Sequence, residues 1–137
     1  MSIPTVLSEG ACLPTRGTPF SAGLDLYALE DTLVTEKQCL VKTGVSMAIP
    51  AGYVGLVWSR SSMALKNGVF TEAGVIDSDF RGNICVVMFS NKGEYQIKKG
   101  ERIAQLLIQP VSSMNPKQVD KLPETQRSDG GFGSTGK

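Results

Sequence analysis

The stretch QCLVKTGVSMAIPAGYVGLVW, residues 38–58, contains three short apolar runs, QCLVKT (38–43), VSMAI (45–49) and YVGLVW (53–58). Gly44 separates the first two, and Pro50 with Gly52 separates the last two. Runs of this length, with β-branched residues and turn formers at their ends, predict strands rather than helices. Outward from this stretch, LDLYAL (24–29), ICVVMF (84–89) and RIAQLLI (102–108) have the same character. Gly68, Gly74, Gly82, Gly93 and Gly100 continue the punctuation, so the expected class is all-β: a sandwich, barrel or jelly roll. One segment breaks the rhythm. In SRSSMALKNG (59–68) a hydroxyl residue precedes Met63, Ala64, Leu65 and Lys66, all good helix formers, and Gly68 can end the element. A helix of two turns at most is expected there.

With 137 residues, 41% hydrophobic and 20% charged, the chain has the size and composition of one folded domain. Fourteen basic against thirteen acidic residues leave a formal charge of +1, which disfavours nonspecific binding to a nucleic-acid backbone. No apolar run approaches a membrane span, and MSIPTVLSEG lacks the basic start and apolar run of a secretory leader. A soluble intracellular protein is expected, with cytoplasm and nucleus not distinguished. Cys12, Cys39 and Cys85 are odd in number and lack C-x-x-C spacing, so neither a disulfide framework nor a zinc site is indicated. The chain contains no histidine, which excludes Ser-His-Asp and Cys-His nucleophiles, zinc-deaminase sites and H-E-x-x-H sites together. Any catalysis must use carboxylates, arginines, hydroxyls or a metal carried by the substrate.

Five stretches could carry chemistry. RSSMALK places Arg60, Ser61 and Ser62 at the start of the expected helix, either as a plain cap or as an anion site. GVIDSDFRGNICVVMF (74–89) puts two acids, an aromatic and an arginine on a turn; it is either a hairpin or a site where an aspartate acts as base toward water. SAGLDLYA (21–28) holds Asp25 within an apolar strand, facing solvent or lining a polar site. GERIAQLLIQP (100–110) holds Arg102 and Gln105, which spacing alone assigns to the surface. The tail PETQRSDGGFGSTGK is too polar to order itself, yet Gly131, Gly136 and Lys137 have Walker A spacing. A working P-loop requires a flanking strand and helix, neither of which is expected here, so that likeness is read as accidental. Glycine N–H groups, Arg127 and Phe132 could still serve an anionic ligand with a flat ring.

Taken in order, SAGLDLYA, RSSMALK, GVIDSDFRG, GERIAQLL and RSDGGFGSTG resemble the five motifs of the trimeric dUTPase family, from Ser21 through Gly136. The resemblance implies a distorted jelly-roll, β-barrel-like subunit with one short helix, a body over residues 1–126 and a flexible C-terminal arm over 127–137. It implies a homotrimer with active sites at subunit interfaces, each arm reaching toward a neighbour's site. The implied reaction is Mg²⁺-dependent hydrolysis of dUTP to dUMP and pyrophosphate, which limits uracil incorporation into DNA and supplies dUMP.

By the same resemblance, Asp77 activates the water that attacks the α-phosphate. Arg60, Ser61, Ser62, Arg102 and Gln105 contact phosphates, and Asp25 acts on the magnesium through water. The hairpin around residues 71–82, including Thr71, Gly74, Val75 and Ile76, recognises uracil largely through its backbone. Phe80 stands where the family usually has tyrosine against the deoxyribose, which places discrimination against UTP in question. Thr71 lies where some members have an asparagine near the base and the catalytic water. In the arm, Arg127 reaches the terminal phosphate, Phe132 covers the uracil, and Gly133, Ser134 and Thr135 donate to phosphates. Ser62 replaces the commoner glycine and brings the second motif closer to the dCTP deaminases, which share the fold and some of which are bifunctional. The short chain and the GGFGSTG form of the arm count against that alternative. A non-catalytic nucleotide-binding module is the other alternative, although base, arginines and arm are all in place.

Overall fold

Eleven strands and one helical turn form the structure, a computed structural model that describes residues 1–136. Lys137, the last residue of the expected arm, lies outside the described residues. One antiparallel sheet runs β1 (Thr5–Leu7), β5 (Cys39–Met47), β9 (Ile84–Ser90), β7 (Val69–Glu72). A second runs β2 (Thr15–Arg16), β3 (Leu24–Tyr27), β11 (Arg102–Pro110), β6 (Tyr53–Ser59), β8 (Val75–Ile76), also antiparallel. A small ladder joins β10 (Tyr95–Ile97) to β4 (Thr32–Val34). The sheets stay open. The expected all-β class is the observed one.

The strand β9 shows why these segments pair. Ile84, Val86, Met88 and Ser90 are buried, while Cys85, Val87 and Phe89 between them are half-buried, so both faces are partly covered and the run reads as continuously apolar. One core draws on all three sheets, with Val41, Ile84 and Met88 from the first, Leu26, Val57 and Leu106 from the second, and Val34 and Ile97 from the third. Met63 adds the helical turn to it. Among the described residues no helix is long and apolar enough to cross a membrane. Cys12, Cys39 and Cys85 are free thiols.

Two local readings change. The expected break at Gly44 is a bulge within one strand, where the register against β9 shifts between Lys42 and Val45. Gly44 takes a φ of 70°, and the buried Thr43 hydroxyl donates to Ile84 O at 2.5 Å and accepts from Val45 N–H at 3.2 Å. The bulge therefore leaves no buried hydroxyl unpaired. The helix is a π-type turn over Met63–Asn67, closed by the Gly68 N–H bonding to Met63 O. Ser62 is already helical, at φ −67° and ψ −41°, and makes no side-chain cap bond. Capping is thus not what its hydroxyl does.

The turn into β11 is held by a carboxylate. Tyr95 OH donates to Glu101 Oε1 at 2.5 Å, and the Lys98 N–H donates to Glu101 Oε2 at 3.0 Å. The hydrogen bond to Glu101, then burial, then the nearby negative charge push the Tyr95 phenol up to about 12. The unfolded chain therefore loses this proton first, and the stabilisation is intact below about pH 10 and disappears as pH rises toward 12. Tyr95→Phe is expected to be less stable than the parent at pH 8, with the difference in urea midpoint narrowing between pH 10 and 12. A difference that stays constant across that window would show that the phenol is not coupled to Glu101.

Candidate active site

The register of the five-stranded sheet gathers residues that are distant in sequence. Asp25 on β3 lies opposite Gln105 on β11, which in turn lies opposite Trp58 on β6, with Ser59 opposite Ala104. The Asp25 carboxylate faces Arg60 Nε at 3.8 Å and Arg102 Nη1 at 3.6 Å. Its side chain is 19% exposed, against 25% for Arg60 and 53% for Arg102. Arg60 Nη1 also donates to Arg102 O at 3.3 Å, and Gln105 Nε2 donates to Ser59 O at 3.1 Å. Asp25 therefore lies between two guanidinium groups rather than facing bulk water. Two cations against one anion leave local positive charge, and each guanidinium carries five N–H donors in a fork suited to phosphate. Ser61 is exposed and Ser62 half-buried where the chain enters the helical turn.

The hairpin after β7 lies flush against β6. Gly74 has a φ of 100°, and its carbonyl accepts the Val57 N–H at 2.8 Å. A Cβ at this position would come within 2.7 Å of Val57 O, so no side chain fits. Val75 pairs with Leu56 and Ile76 with Gly55. Thr71, Gly74 and Val75 line a recess of about 370 Å³ together with Trp58 and Ser59. Beyond Ile76, the Phe80 N–H bonds to Asp77 O at 3.1 Å and closes a turn. Arg81 Nη1 reinforces that turn by donating to Ser78 O at 2.7 Å and Phe80 O at 3.1 Å. Asp77 and Phe80 are both exposed.

One chain does not bring Asp77 to the arginines. Ile76 pairs with Gly55 and the two strands run antiparallel, so Asp77 is level with the start of β6, where it shares a recess with Tyr53, Val54 and Val111. Arg60 follows the other end of β6. Arg60 lies six residue steps along the chain from Val54, and at about 3.3 Å per step this is on the order of 20 Å.

The tail is also apart from the arginine cluster in its bonding. Residues 109–129 are exposed. Arg127 Nε donates to Gly130 O at 2.8 Å, while the Gly130, Ser134 and Gly136 N–H groups bond to Arg127, Gly131 and Gly133 carbonyls. These bonds close small turns inside the segment. Phe132 is exposed at a φ of 51°, and Gly133 has a φ of 91°. Ser134 and Thr135 are exposed beside them. Ser59 was missed at the level of sequence, and its position directly before the Arg-Ser-Ser element was the only available signal.

Comparison with known proteins identifies the family. The profile of the dUTPase family matches residues 9–136. A deoxyuridine 5'-triphosphate nucleotidohydrolase of Debaryomyces hansenii is 47% identical over 134 residues, spanning 95% of this chain and 84% of that protein. The dUTPase of Staphylococcus bacteriophage 80alpha, solved with dUPNHPP, superposes with a TM-score of 0.91 at 31% identity and covers 98% of each chain. A variant dUTPase of phage phi11 of S. aureus, described for its coordination of a structural Mg(II) ion, gives 0.83 at 29% identity, covering 88% of this chain and 98% of that one.

Proposed function

The chain belongs to the dUTPase family and is a dUTP nucleotidohydrolase; from that premise we propose how its residues divide the work. Asp77 orients a water and takes its proton as the oxygen attacks the α-phosphorus. The bond from that phosphorus to the bridging oxygen breaks, leaving dUMP and pyrophosphate. Arg60, Ser61, Ser62, Arg102 and Gln105 hold the phosphates and spread positive charge over them. The backbone of the hairpin around residues 71–82, including Thr71, Gly74, Val75 and Ile76, reads the uracil edge. Phe80 packs on the deoxyribose and excludes a 2′-hydroxyl by bulk. Arg127, Phe132, Gly133, Ser134 and Thr135 form an arm, residues 127–137, that closes the site over a body of residues 1–126.

The observation that carries this reading is the alignment of β3, β11 and β6, which brings Asp25, Arg60, Arg102 and Gln105 together at one end of the five-stranded sheet. The distance from Arg60 to Asp77 along β6 supports a homotrimer in which one chain supplies the phosphate contacts and its neighbour supplies the base. Asp25 offers a single carboxylate already opposed by two guanidinium groups. This donor set fits magnesium that arrives on the triphosphate and meets Asp25 through water. When so bound, the ion neutralises charge on the phosphate oxygens.

Pyrophosphate release from dUTP, dTTP, dCTP and UTP in the presence of magnesium tests the reading. Strong preference for dUTP is expected. Ammonia release from dCTP would instead favour the deaminase alternative, and release from none of the four would overturn the assignment.

A further inference from the structure

The recess between β6 and residues 71–75 contains a pair of hydroxyls for which the mechanism above has no use. Ser59 Oγ accepts the Thr71 N–H at 3.0 Å, and its hydroxyl lies 3.2 Å from Thr71 Oγ1. Both residues are half-buried. Ser59 ends β6 in the five-stranded sheet, whereas Thr71 belongs to β7 at the edge of the four-stranded sheet, so the pair ties one sheet to the other. The main chain of Ser59 is occupied as well, because its carbonyl accepts Gln105 Nε2 at 3.1 Å. The next residue is Arg60, whose guanidinium faces Asp25 and bonds to Arg102 O. In the other direction, Thr71 leads through Gly74 to the hairpin that carries Asp77. A single hydroxyl thus fixes the spacing between a strand end bearing phosphate ligands and a strand that leads to the base-reading hairpin.

We propose that Ser59 is a positioning residue for the triphosphate: its hydroxyl anchors the end of β6 to Thr71 and so fixes where Arg60 and Gln105 present their donors. The proposal rests on the reading of Arg60 and Gln105 as phosphate contacts. Removing the hydroxyl leaves the half-buried Thr71 N–H without its acceptor and frees the end of β6 to move. Triphosphate affinity then falls further than affinity for a ligand that offers only base and sugar, because the donors on Arg60 and Gln105 are the ones adjacent to Ser59. Serine at the end of a strand can be replaced by threonine, which keeps the hydroxyl and suits strand geometry.

The test measures kcat and KM for dUTP, together with inhibition by deoxyuridine, which has no phosphates. Ser59→Ala is expected to raise KM for dUTP about ten-fold, with kcat within about two-fold and deoxyuridine inhibition weakened much less than dUTP binding. Ser59→Thr is expected to restore the parental KM. Thr71→Val is expected to weaken dUTP in the parent but to add nothing in the Ser59→Ala background, because the two hydroxyls act as one unit. A Ser59→Ala protein with a lowered melting temperature and a parental KM, equal losses for dUTP and deoxyuridine, or additive effects of the two substitutions would each overturn the proposal. Arg60→Ala, run alongside, must itself raise KM; if it does not, the phosphate reading fails and the proposal falls with it. If Arg60→Ala raises KM and Ser59→Ala does not, only the positioning role is lost.

Discussion

Asp77→Asn is expected to lower kcat for dUTP by about 10²–10⁴-fold while nucleotide affinity stays largely unchanged. The amide is nearly the same size as the carboxylate, so the turn closed by the Phe80 N–H on Asp77 O is preserved, since that bond uses the main chain. What disappears is the capacity to accept a proton from water. Arg81, which holds the turn through Ser78 O and Phe80 O, keeps the residue in place in either form. A loss confined to kcat therefore identifies the base, as opposed to a binding group, which would act through KM. Parental turnover by the Asp77→Asn enzyme would remove Asp77 from the mechanism.

Deleting residues 127–137 is expected to leave a folded assembly with kcat/KM for dUTP lowered about 10²-fold or more, because groups that position phosphate and base are lost together. The fold has no need of this segment: the last strand ends at Pro110, and the hydrogen bonds described for residues 127–136 close turns within the tail. If the proposed arm orders on each substrate molecule, the conformational entropy lost lowers net affinity and aids product release. Circular dichroism and thermal melting of the truncated protein should match the parent. Full activity in the truncated enzyme would reduce the tail to an ordinary frayed end.

How far the sequence is legible depends on the scale of the feature. The longer strands are evident from apolar runs because β6, β9 and β11 have buried or half-buried residues on both faces and β5 buries Val41, Val45 and Met47. Strands such as Thr15–Arg16 and Val75–Ile76 carry no periodic signal in two residues and exist because a partner ladder is already present. Gly44 reads as a break, yet Thr43 supplies the hydrogen bonds that let the strand continue through it. Asp25, Arg102 and Gln105 read as surface positions from spacing alone, since alternation along a strand says which face a residue takes and nothing about its lateral neighbours. Only the five motifs together predicted their convergence. The bond between Ser59 and Thr71 is not legible in the sequence, because two hydroxyl residues twelve positions apart are common and only the place of Ser59 before Arg60 points to it.

In the proposed homotrimer one chain supplies Asp77 and another supplies Arg60 to the same dUTP molecule. Co-expression of Asp77→Asn with Arg60→Ala tests it through pyrophosphate release by the mixed assemblies. Each variant alone is impaired, but a shared interface pairs an intact Asp77 with an intact Arg60 in about a quarter of the sites when chains mix at random. Recovery toward a quarter of parental activity is the predicted result. Activity no greater than that of the two impaired enzymes would place both residues in a site built from one chain and contradict the account.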